Sequence, residues 1–128
     1  MVRGTRGADA YRRMEAESRS PMELVVMLYD GAIRFVGEAR EAIVRKDVPA
    51  RTEATRRALD IVSELQLSLN VKDGGEIARE LDRLYSYMST RLLDVTRGDA
   101  DAADEIHKLL GTLRDGFSQA ASPGAPAS

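Results

Sequence analysis

The chain has 128 residues, no cysteine and a formal net charge of −2, although 31% of its residues are charged. A chain of this length is expected to form one domain with one core, and it has no disulfides to stabilise it. Because the opposite charges nearly cancel, the composition provides no electrostatic surface for nucleic acid or for an anionic membrane. We therefore expect no nucleic-acid partner.

The N-terminal part of the chain contains no sign of export or membrane insertion. Residues 1–19 lack the apolar core and cleavage site of a signal peptide. The least polar stretch, Leu24–Val36, is shorter than the about 20 apolar residues of a membrane span. We expect residues 1–19 to be flexible, with a short helical or extended stretch that places Tyr11 and Met14 on one side.

Two helices are predicted in the first half of the chain. Ser20-Pro21-Met22-Glu23 has the pattern of a capping box with proline in the first turn, so a helix is expected from there to about Arg45. A second is expected from Asp47-Val48-Pro49 to about Asn70. Gly31 in the middle of the first helix costs about 1 kcal/mol relative to alanine. It therefore indicates a neighbour packed close to the backbone.

Two further helices follow. Asp73 and Glu76 form a capping pair for the third, which is expected to end at Arg97-Gly98. Asp99 caps the fourth, which should run to about Ala120. The Pro/Gly/Ser composition of residues 121–128 is typical of a disordered tail. The sequence thus predicts an all-α, antiparallel up-down four-helix bundle over residues 20–120.

Each helix carries a stripe of apolar residues at helical spacing, which predicts its buried face. The predicted core consists of Leu24, Leu28, Ala32, Phe35, Ala39 and Ile43 on the first helix, Ala58, Val62, Leu65 and Leu69 on the second, Ile77, Leu81, Leu84, Met88, Leu92 and Val95 on the third, and Ala103, Ile106, Leu110, Leu113 and Phe117 on the fourth.

The first helix has more apolar residues than one buried face needs. Val26, Tyr29 and Ile33 form a second stripe at positions i, i+3 and i+7. Two interpretations stay open: a wide core face on a central helix, or an exposed apolar groove that binds a partner. The second gives a set of candidate partner-binding residues, namely Tyr11, Met14, Val26, Tyr29, Ile33, Ile61, Leu65, Tyr85 and Tyr87.

The residues needed for catalysis or metal binding do not occur in recognisable patterns. His107 is the only histidine, and without cysteine no zinc site or Cys–His pair can be built. The acidic group from Asp99 to Glu105 lacks the glycine turn of a calcium loop and is better explained by helix capping. We therefore expect neither a cofactor nor an enzymatic activity.

Several segments together resemble the flagellin export chaperone family FliS. They are Tyr11, the helix start Ser20-Pro21-Met22-Glu23-Leu24, and Met27-Leu28-Tyr29-Asp30-Gly31. The run Leu84-Tyr85-Ser86-Tyr87-Met88-Ser89-Thr90-Arg91-Leu92 is also similar to the family's third-helix pattern. The resemblance covers about residues 10–118.

This resemblance implies a cytoplasmic chaperone of flagellar type III secretion with a helical-bundle fold. It implies that the partner is the C-terminal segment of flagellin, which is kept from premature polymerisation and delivered to the export gate protein FlhA. It also implies a gate-docking or regulatory role for Tyr11, which in the absence of a client is expected to cover a groove. A helical-bundle interaction or regulatory protein with another client is the alternative.

Overall fold

The computed structural model describes residues 20–70, 72 and 74–120, and within them it contains four helices and no strand. The helices are α1 (Pro21–Arg45), α2 (Val48–Leu67), α3 (Gly75–Thr96) and α4 (Ala100–Ala120). The predicted all-α fold is confirmed. Residues 1–19 and 121–128, for which we predicted a flexible segment and a disordered tail, lie outside the described residues.

Most of the predicted helix ends are confirmed in atomic detail. At the start of α1 the Ser20 hydroxyl accepts from the Glu23 amide at 3.1 Å, and the Glu23 carboxylate accepts from the Ser20 amide at 2.8 Å. Asp47 caps α2 and Asp99 caps α4, each at 3.1 Å. Asp73 lies outside the described residues, and the N-cap of α3 is Gly74, which makes no side-chain cap.

Contacts between neighbouring helices show that each runs antiparallel to the next. Between α1 and α4, Arg40 bonds to Asp104 and Arg114 bonds to Asp30, so residue numbers rise on one helix as they fall on the other. Between α2 and α3, Arg51 bonds to the carbonyl of Thr96, whereas Gln66 bonds to Asp82. Between α1 and α2, a Cβ on Gly31 would lie only 3.1 Å from Ile61 Cδ1, which supports the expected close approach at this glycine. The four helices therefore form a closed up-down arrangement.

The buried face of α1 differs from the predicted stripe. Its fully buried residues are Tyr29, Ala32, Val36, Ala39 and Ala42. Leu28, Phe35 and Ile43, which we predicted as core, are half-buried at its edge. Because α1 packs extensively against both α2 and α4, its buried sector is centred between those two neighbours.

The stripe of α3 is likewise rotated at its N-terminal end. Met88, Leu92 and Val95 are fully buried as predicted, but Ile77 is 74% exposed and Ala78 is buried instead. The fully buried aromatic residue of this helix is Tyr85. The early apolar positions of α3 consequently lie beside the core, toward α4.

Two buried tyrosines meet across the diagonal of the bundle. Tyr29 on α1 and Tyr85 on α3 share a hydrogen bond between their hydroxyl groups at 2.5 Å. Their exposures are 0% and 1%, and Leu65 is also 1% exposed. Tyr29, Leu65 and Tyr85 are therefore buried in the structure described and do not present an open apolar surface. Leu65 lies in the core as its stripe predicts, and Tyr29 fits the wide core face that the sequence left open. A tyrosine at a core position is tolerated here because each hydroxyl has a hydrogen-bond partner in the other, one as donor and one as acceptor.

Replacing one of the two tyrosines should therefore be more harmful than replacing both. Tyr29→Phe leaves the Tyr85 hydroxyl buried without its partner and should lower the free energy of unfolding by about 1–3 kcal/mol. In the double variant with Tyr85→Phe neither hydroxyl remains, so the loss should be smaller than the sum of the single losses. Urea denaturation followed by circular dichroism measures the free energy of unfolding of the native chain, the two single variants and the double variant. Additive losses would contradict the role of this bond.

The same pair predicts sensitivity to alkali. Burial raises the pKa of Tyr29 and of Tyr85 above the ordinary value of a tyrosine. The contribution of the protonated tyrosine pair to the free energy of unfolding is fully present below the pKa of tyrosine in the unfolded chain, about 10. It declines above that pH, because the unfolded chain loses its phenolic protons before the folded chain does. The free energy of unfolding should thus fall more steeply above this pH in the native chain than in the double phenylalanine variant. An equal fall of the free energy of unfolding with pH in the two proteins would contradict the predicted role of the buried tyrosines.

Candidate partner-binding site

The helices α3 and α4 leave an apolar cleft between them. Their contact is the sparsest of the four neighbouring pairs. The cleft lies where α3 begins and α4 ends, and it has a volume of about 330 Å³. Its walls are formed by Met22, Ile77, Leu81, Thr112, Leu113, Gly116, Phe117 and Ala120. We call this feature the α3–α4 cleft.

A second depression adjoins the cleft at the same end of the bundle. It has a volume of about 200 Å³ and lies among the start of α1, the end of α2 and the side of α3. Met22, Leu81 and Phe117 line both spaces. The Phe117 ring stacks on Tyr29 with centroids 5.3 Å apart. Phe117 thus forms the partition between two apolar spaces and rests on the buried tyrosine pair.

The α4 wall of the cleft consists partly of small residues. Thr112, Gly116 and Ala120 recur every four positions and therefore lie along one face of the helix. A Cβ added at Gly116 would meet nothing within 4 Å, in contrast to the crowded Gly31. Packing within the described residues therefore does not require glycine at position 116. A helix seated in the cleft would approach the α4 backbone closely at this point.

Polar contacts fasten α3 to α4 away from the cleft. Arg91 of α3 bonds to Glu105 of α4 at 2.7 Å, and the Tyr87 hydroxyl of α3 donates to the same carboxylate at 2.6 Å. These bonds hold the pKa of the Glu105 carboxyl below its ordinary value, the Tyr87 bond contributing most. On the other side of α4, Arg114 bonds to Asp30 of α1 at 2.8 Å. The pair is thus joined near its turn and open at the other end.

The residues selected from the sequence do not form one surface. Tyr11 and Met14 lie outside the described residues. Val26, Ile33 and Ile61 are half-buried, and the latter two pack against the core. Tyr87 is 45% exposed, but its hydroxyl is bonded to Glu105. The structure brings together Leu65 and Tyr85, which line the 200 Å³ depression.

Sequence reasoning missed the cleft itself. Ile77, Leu81, Leu113 and Phe117 were assigned to the core because their spacing fits a buried stripe. Thr112, Gly116 and Ala120 were not considered. The available signal was a helix-interior glycine at the centre of a row of small residues spaced by four.

None of the four helices in the described part of the chain combines the length and the hydropathy of a membrane span. No group of three or more acidic or histidine side chains in this part of the chain is arranged to hold a metal ion. Three of the acidic residues at the start of α4 have other roles, since Asp99 caps the helix, Asp104 pairs with Arg40 and Glu105 pairs with Arg91.

Comparison with known proteins finds relatives of one family, and they match most of the chain. The family "Flagellar protein FliS" matches residues 4–124. The flagellar secretion chaperone FliS of Salmonella typhimurium is 38% identical over 119 residues, which cover 88% of each chain. The chaperone FliSB of Pseudomonas aeruginosa is 31% identical over 84% of this chain and 89% of its own. FliS of Bacillus subtilis is 30% identical over 87% of this chain and 83% of its own.

The match to the family extends over all four helices, including the residues of the α3–α4 cleft and the paired tyrosines. The relatives are named as chaperones of flagellar secretion, and their length is close to that of this chain. The chain belongs to the FliS family of flagellar secretion chaperones.

Proposed function

We propose that this chaperone binds the C-terminal segment of flagellin, prevents its premature polymerisation and aids its export. The observation that carries the proposal is the open apolar α3–α4 cleft in a member of the FliS family. Large apolar surfaces on soluble proteins commonly mark partner sites. Ile77 is 74% exposed beside this cleft, which favours a surface that is covered in a complex.

The cleft suits a client segment that folds into a helix on binding. An amphipathic helix can place apolar side chains on Ile77 and Leu81 while its backbone approaches Gly116. The client loses conformational freedom as it becomes ordered, and this costs about 2–5 kcal/mol of the interaction energy. A complex formed in this way protects the apolar segment and remains able to release it.

The remaining parts of the proposal follow from the family resemblance. They are a cytoplasmic location, delivery of the client to the export gate protein FlhA, and a docking or regulatory role for Tyr11. A binding measurement between the client-loaded chaperone and the cytoplasmic part of FlhA tests delivery to the gate. The same measurement with a Tyr11→Ala variant tests the role of Tyr11.

The primary experiment is a titration of the full-length chain with a synthetic flagellin C-terminal segment. Calorimetry should detect heat of binding, and circular dichroism should show more helix in the mixture than in the sum of the components. A segment of the same composition in scrambled order is the control. Absence of both signals would remove flagellin as the client and favour a bundle that serves another protein.

Filling the cleft should weaken client binding without unfolding the chaperone. Gly116→Leu places a side chain in space that the described residues leave open, and leucine is a better helix former than glycine by up to about 1 kcal/mol. We expect unchanged or higher stability and client affinity reduced about tenfold, or 1.4 kcal/mol. Calorimetry and thermal denaturation measure both quantities.

Gly111→Leu is the matched control, because a Cβ at Gly111 also meets nothing within 4 Å and this residue does not line the cleft. It should bind the client normally. If both glycine variants bind as the native chain does, the client does not occupy the cleft. If Gly116→Leu alone loses stability, its effect on binding is structural.

Deletion of residues 1–16 should raise client affinity if this segment competes for the apolar surface. The capping box from Ser20 to Glu23 is retained, so α1 keeps its start and the melting temperature should change little. Calorimetric titration of the shortened and the full chain with the same flagellin segment makes the comparison. Equal affinities would argue against a self-covering role of Tyr11 and Met14.

A further inference from the structure

The α3–α4 cleft and the depression beside it are separated by a ridge of three side chains. The ridge consists of Met22 from α1, Leu81 from α3 and Phe117 from α4, which line both spaces. A methionine side chain adapts its shape easily. The Phe117 ring, by contrast, stacks on the fully buried ring of Tyr29. Phe117 is therefore the fixed part of the ridge.

Both spaces are large enough to receive an apolar side chain. An apolar cavity of about 150 Å³ binds benzene, and the depression and the cleft have volumes of about 200 and 330 Å³. The depression reaches down to Leu65 and Tyr85 of the core, each 1% exposed. A side chain in the cleft would pack on Ile77 and Leu113. Each space can therefore hold one anchoring side chain of a bound helix.

The thickness of the ridge determines the spacing of two such anchors. Carbon atoms in contact lie about 3.5–4.0 Å apart, so the ends of two side chains that touch opposite sides of Phe117 are roughly 7–8 Å apart. Helix residues three or four positions apart have Cβ atoms about 5–6 Å apart on the same side. Residues one or two apart face different directions, and residues seven apart are separated by about 10 Å along the axis. The spacing of three or four positions therefore fits the ridge best.

We propose that Phe117 is a selectivity residue of the client site. It requires a client helix to carry two large apolar side chains three or four positions apart, one on each side of the ring. None of the described residues that line the two spaces is charged, which agrees with apolar anchors. This inference rests on the proposed function, because it takes the flagellin C-terminal segment as the occupant, and it adds which client residues carry the binding.

The first test is an alanine scan of the apolar positions of the synthetic flagellin C-terminal segment. Each variant is titrated against the full-length chain by calorimetry. Two positions three or four apart should each lose about tenfold or more in affinity, whereas other positions should lose less than about threefold. Moving one anchor by a single position along the segment should be as harmful as removing it, because the side chain then points away from its space.

The second test uses the two phenylalanines of the chain. Both Phe35 and Phe117 are half-buried and pack against the core, but only Phe117 lines the two spaces. When the segment is added, the ring resonances of Phe117 should shift in aromatic NMR spectra and show NOEs to both anchors. The ring resonances of Phe35 should stay in place. This measurement is made on the native chain and needs no variant that folds.

Phe117→Leu and the matched control Phe35→Leu then test the coupling between the ridge and the anchors. In Phe117→Leu each anchor loses part of its wall, so the affinity loss caused by alanine at either anchor should shrink by about threefold or more. In Phe35→Leu the loss should equal that of the native chain. Thermal denaturation checks that both variants are folded.

The outcomes separate this inference from the proposed function. If the native chain gives neither heat of binding nor a gain of helix with the segment, the proposed function fails and the inference falls with it. If the segment binds but the large losses have another spacing, or are the same in a folded Phe117→Leu, only the inference is overturned. It is also overturned if the segment leaves the Phe117 resonances in place while deletion of residues 1–16 or dilution moves them. The occupant would then be the chain's own N-terminal segment or a second copy.

Discussion

The hydrogen bond between Tyr29 and Tyr85 links the two helices that are diagonal in this bundle. α1 packs against α2 and α4 along much of its length, whereas α3 has only a sparse contact with α4. The tyrosine bond therefore ties α3 directly to α1 through the centre. The Tyr29 ring also supports Phe117 of α4. One buried residue thus positions both helices that form the cleft, and it allows their outer ends to stay apart without loss of the core.

This arrangement explains how a small bundle can have both a stable core and an open apolar surface. Near the α3–α4 turn, Arg91 and Tyr87 of α3 bond to Glu105 of α4 and hold the two helices together. At the other end, Ile77 and Leu81 face a row of small residues across a space that the other described residues leave open. The small residues on α4 are consistent with a surface shaped for a partner.

The fold follows closely from local sequence signals, and the site does so only in part. Ser20, Asp47 and Asp99 cap their helices as predicted because capping depends on residues within one turn. The rotation of a helix about its axis is set by its neighbours, and periodicity alone did not determine it. The stripe of Tyr29 was therefore left open between core and surface, and Ile77 was placed in the core, whereas Tyr29 is buried and Ile77 is exposed. A hydroxyl pair from residues 56 positions apart cannot be recognised in one sequence.

The residues that line the α3–α4 cleft carry no charge, so the cleft fits a segment that contributes mainly apolar side chains. The charged side chains of α3 and α4 that bond to each other, Arg91 and Glu105, lie outside it.

The most direct measurement is hydrogen–deuterium exchange of the full-length chain with and without the flagellin C-terminal segment. Because the proposed complex covers the cleft, amides at the start of α3 and the end of α4, around Ile77 and Gly116, should exchange more slowly when the segment is present. Amides at Glu41 and Ala50 should be unaffected. Unchanged exchange at Ile77 and Gly116 with protection elsewhere would contradict the account.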